Sequence, residues 1–306
     1  MPQPVPSFDQ LQVMLAVVEA GSFSGAARRL NRAQSAITYA VQRLEEQLGT
    51  ALFDRTSYRP ALTEAGRTLL PRARLIAEEM RALAEHAQGI AAGLEPELTL
   101  VVDAMFPMSA LLDALRIFGV RYPSVPPRIY VDSLGASSEL VLNGTCAVGL
   151  LSAFSSEFEP LQRQPLLDIT LIHVAAPAHP LGRYEGPVPS EELRRHVQLV
   201  LSDRSGLTGG RDYGVLSPQT WRLADLGAKH AMLTAGLGWG GMPAHLVAED
   251  LAAGRLHRIT LQAAAGEDIT LPLCTAYRRD RPPGPAGRWL LEHLAEMMET
   301  NPGAGL

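Results

Sequence analysis

The chain has 306 residues, 46% hydrophobic and 19% charged, with a formal net charge of −5. That length exceeds what one growing core holds, so two or three domains are expected, and the charge excludes a protein that is basic throughout but not a local basic patch. Two cysteines, Cys146 and Cys274, are too few for a disulfide framework. With no leader-like pattern in residues 1–6 and no long uninterrupted apolar run, a cytoplasmic location without a membrane span is expected.

In chain order, Phe8, Leu11, Leu15 and Val18 share one face of a first helix that Gly21 ends. Ser24 is the expected N-cap of a short second helix over 25–30, and Asn31 is suited to the left-handed conformation that closes it. A third helix begins near Gln34. Its core face is read as Ala36, Ile37, Val41 and Leu44, with Ala40 and Leu48 in the same periodic set. The opposite face opens with Gln34, Ser35, Thr38, Tyr39 and Gln42, which hydrogen-bond without charge. The segment "LFDRTSYRPALT" then outlines a two-stranded wing.

A long helix is predicted over 63–92, with Thr63 as its cap. Leu69, Ala73, Ile76, Met80, Leu83, Ala87 and Ile90 alternate steps of four and three, a heptad seam flanked by charges. The seam predicts a dimer. From residue 95 onward, strands alternate with helical runs ("LTLVVDA", "SALLDALRIFGVRYP", "PRIYVDS", "CAVGLLS"), which predicts parallel sheets with crossovers. A second such set starts at "DITLIHVAAP", and two lobes of this kind would enclose a ligand cleft.

Between Glu19 and Glu45 there is no acidic residue, although the chain holds 32 carboxylates. The same window carries Arg28, Arg29, Arg32 and Arg43, and the wing adds Arg55 and Arg59. A face meant for phosphates excludes acids, whereas a face meant for water has no reason to. Uncharged hydrogen-bonding side chains at a helix start suit base edges in a major groove, and the short turn before that helix is helix-turn-helix spacing.

The first sixty residues, from "FDQLQVMLAVVEAGSFSGAARRLNRAQSAITYAVQRLEEQLG" through "LTEAG", resemble the DNA-binding domain of LysR-type transcriptional regulators. "LIHVAAPAHPLG", "AGLGWGGMPAHLV" and "LAAGRLHRI" extend the resemblance into the second half. It implies a winged helix-turn-helix (1–62), a coiled-coil linker helix (63–94) and an effector-binding domain (95–306) of two Rossmann-like α/β lobes, of periplasmic-binding-protein type. Lobe I would take 95–166 and 267–306, and lobe II 167–266. The implied function is DNA-binding transcription regulation modulated by a small-molecule effector. The implied partners are a pseudo-palindromic duplex operator and further copies of the chain, as dimer and tetramer.

The resemblance also places the sites. Gln34, Ser35, Thr38 and Tyr39 would meet bases and groove, and Arg32, Arg43, Arg55 and Arg59 backbone phosphates. Ala33 stands where a capping Ser or Thr is common, and Tyr39 where a basic residue is frequent. The effector cleft would be edged by 103–109, 133–138, 202–205 and 239–242, with Asp103, Met105, Phe106, Ser133, Ser202, Asp203, Arg204 and Trp239 as candidate contacts. Its Met, Phe and Trp residues suggest a partly apolar or aromatic effector, its polar group anchored by Ser202, Ser133 or Arg204.

Two rival functions are weighed. Gly236, Gly238 and Gly241 satisfy G-x-G-x-x-G, the mark of a nicotinamide-dependent oxidoreductase, but they come late in the fold and lack the acidic ribose partner. Cys146 and Cys274 would serve a thiol-based redox sensor. No nucleophile elbow, P-loop or metal motif is read, so no enzyme activity, cofactor or metal is expected. Lys229 is the only lysine, and the sequence reading assigns it no role.

Overall fold

The computed structural model describes residues 5–54, 60–152, 160–208, 210, 213–263 and 268–300. The chain divides into two units, Met1–Gln88 and Gly89–Leu306.

In the first unit, α1 (Phe8–Ala20) opens on a capping box: Ser7 Oγ accepts from the Gln10 amide, and Gln10 Oε1 accepts from the Ser7 amide. Gly21, at φ 64°, ends it. The fully buried face of α1 is Val13, Met14, Ala16 and Val17, while Phe8, Leu11, Leu15 and Val18 are its partly covered flank. The expected face is therefore displaced around the helix. α2 (Phe23–Arg29) starts two residues earlier than expected, because Ser22 rather than Ser24 accepts from the Gly25 amide at 3.0 Å. Asn31 has a φ of 51°, the left-handed turn that the sequence suggested. α3 (Gln34–Leu48) buries Ile37, Val41 and Leu44 against α1, α2 and Leu52.

The wing pairs β1 (Phe53–Asp54) with β2 (Ala61–Leu62); its tip, with Arg55 and Arg59, lies outside the described residues. α4 (Glu64–Ala91) is capped by Thr63, whose Oγ accepts from the Gly66 amide at 3.0 Å. Pro71 sits within this helix. The lost donor and ring leave one backbone bond of the second turn unmade.

The second unit contains one continuous mixed sheet. Its first part holds β3 (Leu98–Asp103), β4 (Pro127–Asp132) and β5 (Val148–Ser152), mutually parallel, with α5 (Met108–Arg121) and α6 (Gly135–Leu142) as connections. β6 (Leu161–Ala175) leads through α7 (Ser190–Leu193) into β7 (Gln198–Leu201), β8 (Thr220–Leu223), α8 (Leu226–Thr234) and β9 (Trp239–Pro243). α9 (Ala244–Ala252), β10 (His257–Ile259), β11 (Ile269–Arg278) and α10 (Pro285–Thr300) complete the chain.

The strand order is β4-β3-β5-β11-β6-β9-β7-β8, with β10 also on β6. The expected parallel pairing holds among β3, β4 and β5 and among β7, β8 and β9, but β6 and β11 join them antiparallel, so the sheet is mixed. β6 and β11 are long enough to run antiparallel through both halves: residues 161–171 of β6 pair with β11, and residues 171–175 with β9. Among the described residues, no helix is long and apolar enough to cross a membrane.

Candidate nucleic-acid interface and ligand cavity

With Ile37, Val41 and Leu44 fixed in the core, helical geometry turns Gln34, Ser35, Tyr39 and Gln42 outward. Tyr39 is 64% exposed, an unusual placement for a large ring with nothing to cover it. Ala36, expected in the core, is exposed on the same side and corrects that assignment, since its first-turn position lies beyond the reach of α1. Thr38 is partly exposed and donates to the Gln34 carbonyl at 3.0 Å. Ala33 provides no side-chain cap, so the first amides of α3 point outward with their partial positive charge.

The arginines of this face are held by acids from outside the acid-free window. Arg32 bonds Asp9 at 2.7 Å, Arg29 bonds Glu19 at 2.7 Å, and Arg43 bonds Glu46 at 2.7 Å. The Arg32 hydrogen bond holds the Asp9 carboxyl below the usual carboxylate range. Surface pairs of this kind are worth about 0–1 kcal/mol, so a phosphate can displace the acid at little cost.

Glu45 does something its sequence position did not suggest. Its Oε1 accepts from the amides of Leu52 at 2.7 Å and Phe53 at 3.0 Å, tying the first wing strand to α3. Glu45→Ala should cost about 2 kcal/mol, because two part-buried donors lose a charged acceptor. Urea denaturation of both proteins measures this; an unchanged midpoint would show that water replaces the carboxylate without penalty.

Along α4, Leu69 and Ala73 pack into the core of the first unit. Farther on, the seam emerges from it: Ile76, Met80, Leu83 and Ile90 are exposed, Leu83 by 62%. A row of large apolar side chains at heptad spacing is the face a second helix covers. In the second unit, Leu112, Ile117 and Val120 on α5, with Ile129 and Val131 on the edge strand β4, form another exposed apolar set.

A candidate ligand cavity lies where β6, β7, α8 and β9 face Met105 and Leu134, and its volume is about 210 Å³. A second hollow of about 290 Å³ shares Leu171, His173, Gly214 and Ile269 with it. Of the expected contacts, only Met105 lines the first cavity. Phe106 is buried in the main core. Trp239 is fully buried on a separate cluster with Ala175, Leu181, Val188 and Ile259, and does not narrow the cleft. Its place at the start of β9, paired with Ala175, sends the ring there.

Asp103 is a buried hub: its carboxylate accepts from Ser152 Oγ at 2.7 Å and from the Met105 and Leu134 amides. Burial raises its pKa. Ser133 is also buried. Asp203 accepts from the Ala136 amide at 3.0 Å and from Ser205, and Arg204 bonds Asp132 at 2.6 Å. Burial alone would raise the Asp203 carboxyl, but hydrogen bonds from Ser205, Thr208 and Ala136 outweigh it and hold it low. Only glycine fits at position 135, where a Cβ would stand within 2.3 Å of Asp203 Oδ2. Asp203 and Arg204 therefore bind the loop after β7 to the ends of β4 and α6. Among the described residues, Ser202 Oγ is buried without a hydrogen-bond partner.

Two residues that the sequence reading passed over face the cavity: Lys229 and His173. Lys229 is 6% exposed, and burial pushes its amine down to about 8. His173 is pushed down to about 4 by burial and by Lys229, with Asp268 opposing, so its imidazole is neutral at physiological pH. The one signal was Lys229's singularity, as the only lysine of the chain.

The glycine motif is built backwards for a dinucleotide. Gly236 (φ 74°) turns the chain out of α8 and into β9, whereas the phosphate-binding fingerprint leads from a strand into a helix. Pro243, expected in the first turn of a helix, is the last residue of β9 and the N-cap of α9. Both thiols are buried, and burial pushes Cys146 up to about 12 and Cys274 above its ordinary value. Burial of both thiols disfavours the thiolate, the reactive form on which a redox sensor depends.

Two family profiles cover nearly the whole chain: "Bacterial regulatory helix-turn-helix protein, lysR family" at residues 8–67, and "LysR substrate binding domain" at residues 91–299. The "Probable HTH-type transcriptional regulator YhaJ" of Escherichia coli K12 is 30% identical over 301 residues, covering 95% of this chain and 96% of its own. The "HTH-type transcriptional regulator CrgA" of Neisseria meningitidis serogroup C is 29% identical over 300 residues, covering 96% and 97%. Among solved structures, the "Corynebacterium glutamicum OxyR C206 mutant" superposes with a TM-score of 0.52 at 22% identity, covering 98% of this chain and 94% of its own. That likeness speaks to fold alone.

Proposed function

The chain belongs to the LysR family of bacterial transcriptional regulators, and from that premise we propose which of its residues read DNA, pair the subunits and receive the effector. It is a DNA-binding regulator with a helix-turn-helix domain and an effector-binding domain. In the proposed arrangement, 1–62 form the reading head, 63–94 the dimerising linker and 95–306 the effector-binding domain. Gln34, Ser35, Thr38 and Tyr39 enter the major groove, and Arg32, Arg43, Arg55 and Arg59 contact phosphates. The observation that carries this reading is the exposed face of α3 over residues 34–44, which carries no acidic residue, with Tyr39 bare and the helix start uncapped.

The exposed seam of α4 supports pairing of two heads on a pseudo-palindromic operator, and the exposed α5–β4 set supports a second contact that would build tetramers. The effector enters the cavity beside α8; to regulate, it must bind one arrangement of the protein better than another.

Fluorescence anisotropy with DNA flanking the gene tests the contacts. Arg55→Ala should weaken binding to every duplex and lower the slope of log affinity against log salt by about one. Tyr39→Ala should instead reduce discrimination between operator and random DNA, with the slope kept. An unchanged slope in Arg55→Ala would misplace the wing.

A further inference from the structure

We propose that the cavity beside α8 is an anion site in which Lys229 is the charge anchor, and that its effector is a small organic acid with an apolar body. This rests on the reading of the second unit as effector-binding. Leu226, Lys229 and Leu233 form the buried stripe of α8, so the lysine occupies a core position that an aliphatic residue would fill more cheaply. Among the described residues no carboxylate pairs with it. The nearest acid to the shared wall, Asp268, is already bonded to Arg258. A buried ammonium without a counter-ion is a standing cost that a bound anion removes.

The other polar groups on the lining do not compete for that role. Gln198 is fully engaged: Nε2 donates to the Gly214 carbonyl, and Oε1 accepts from the Leu216 and Ser217 amides. His173 is neutral and has a ring nitrogen to donate to an anion beside Lys229. Tyr213 adds a phenol to the lining, and the rest of the side-chain wall is apolar, with Met105, Leu134, Leu201, Leu226 and Ile269. An apolar cavity of about 150 Å³ takes benzene, so about 210 Å³ accommodates a single ring or short branched chain bearing one carboxylate.

The charged and titratable groups around Lys229 are His173 on β6, Tyr213 in the loop before β8, Asp268 before β11 and Arg258 on β10. A bound carboxylate favours the protonated amine. Binding therefore takes up a proton above pH 8, and affinity falls as pH rises past that value.

Because Lys229 is the only lysine, ¹³C-lysine labelling gives one Cε resonance to follow. Titrating the full chain with acetate, isovalerate and benzoate should shift it saturably, each tighter than the last, with benzoate at least tenfold tighter than acetate. The amine's midpoint should rise with benzoate bound, and benzamide should leave the resonance where it was. Lys229→Met, a change expected to leave the unit folded, should abolish benzoate binding in calorimetry. The proposal is overturned if no acid moves the signal, or if benzamide binds as well as benzoate. Operator binding measured on the same sample separates the two failures: acids without effect on a chain that binds its operator sink only the anion site.

Discussion

Lys229→Met should raise the stability of the second unit at pH 7 by about 3 kcal/mol, the free energy equivalent to a pKa drawn from 10.5 down to about 8. The unfolded chain keeps the proton up to its ordinary pKa, while the folded chain gives it up near 8. Between those values the unfolded state binds more protons, so wild-type stability rises with pH across that window. Below pH 8 both states are protonated and the penalty is complete. Methionine matches the lysine stem in length and helix propensity without the charge. Urea midpoints measured from pH 7 to pH 10.5 should show the variant ahead at pH 7 and the gap closing as pH rises. Equal stability at pH 7, or a gap independent of pH, would mean that Lys229 reaches solvent. A residue that costs stability in the empty protein and recovers it when an anion arrives is the pattern of a binding site.

The double change Met80→Asp and Leu83→Asp should leave the chain monomeric and lower its affinity for a two-half-site operator by about a hundredfold or more, because the second head no longer binds as a tethered neighbour. Both side chains are exposed, 41% and 62%, so single-chain folding loses little. Pairing would bury them, and paired carboxylates in a coiled-coil seam repel. Leu69 and Ala73, which the first unit needs, are untouched. Sedimentation gives the mass and anisotropy the affinity. A dimer with undiminished operator binding would place the pairing surface elsewhere, with the exposed α5–β4 set as the alternative.

The helices, the wing and the long linker were legible because each rests on local signals: Thr63 at a cap, Gly21 and Asn31 at left-handed ends, and apolar steps of three and four. Choices between neighbours were less legible. Ser22 and Ser24 are equivalent in sequence, and only the path out of Gly21 decides which one meets the Gly25 amide. The mixed sheet was hidden because antiparallel pairing of β6 with β11 depends on partners about a hundred residues apart. The ligand site was least legible. Trp239 and Phe106 looked like cleft residues, but the register of β9 sent the first into a core and the turn between β3 and α5 sent the second into another. Lys229 looked like a composition accident, because burial and the absence of a partner are properties of the folded chain alone. Asp203 and Arg204 sat in an expected stretch, yet they bind protein rather than ligand.

Whether α3 reads duplex DNA is decided most directly by hydroxyl-radical footprinting of the full-length protein on the DNA beside its gene, in dilute buffer and again at raised salt. Two symmetric protected patches, on one face of the duplex and separated by whole helical turns of about ten base pairs, are expected, fading as salt rises. A monomer that protects no duplex even in dilute buffer would contradict the assignment of the first half of α3 to the major groove.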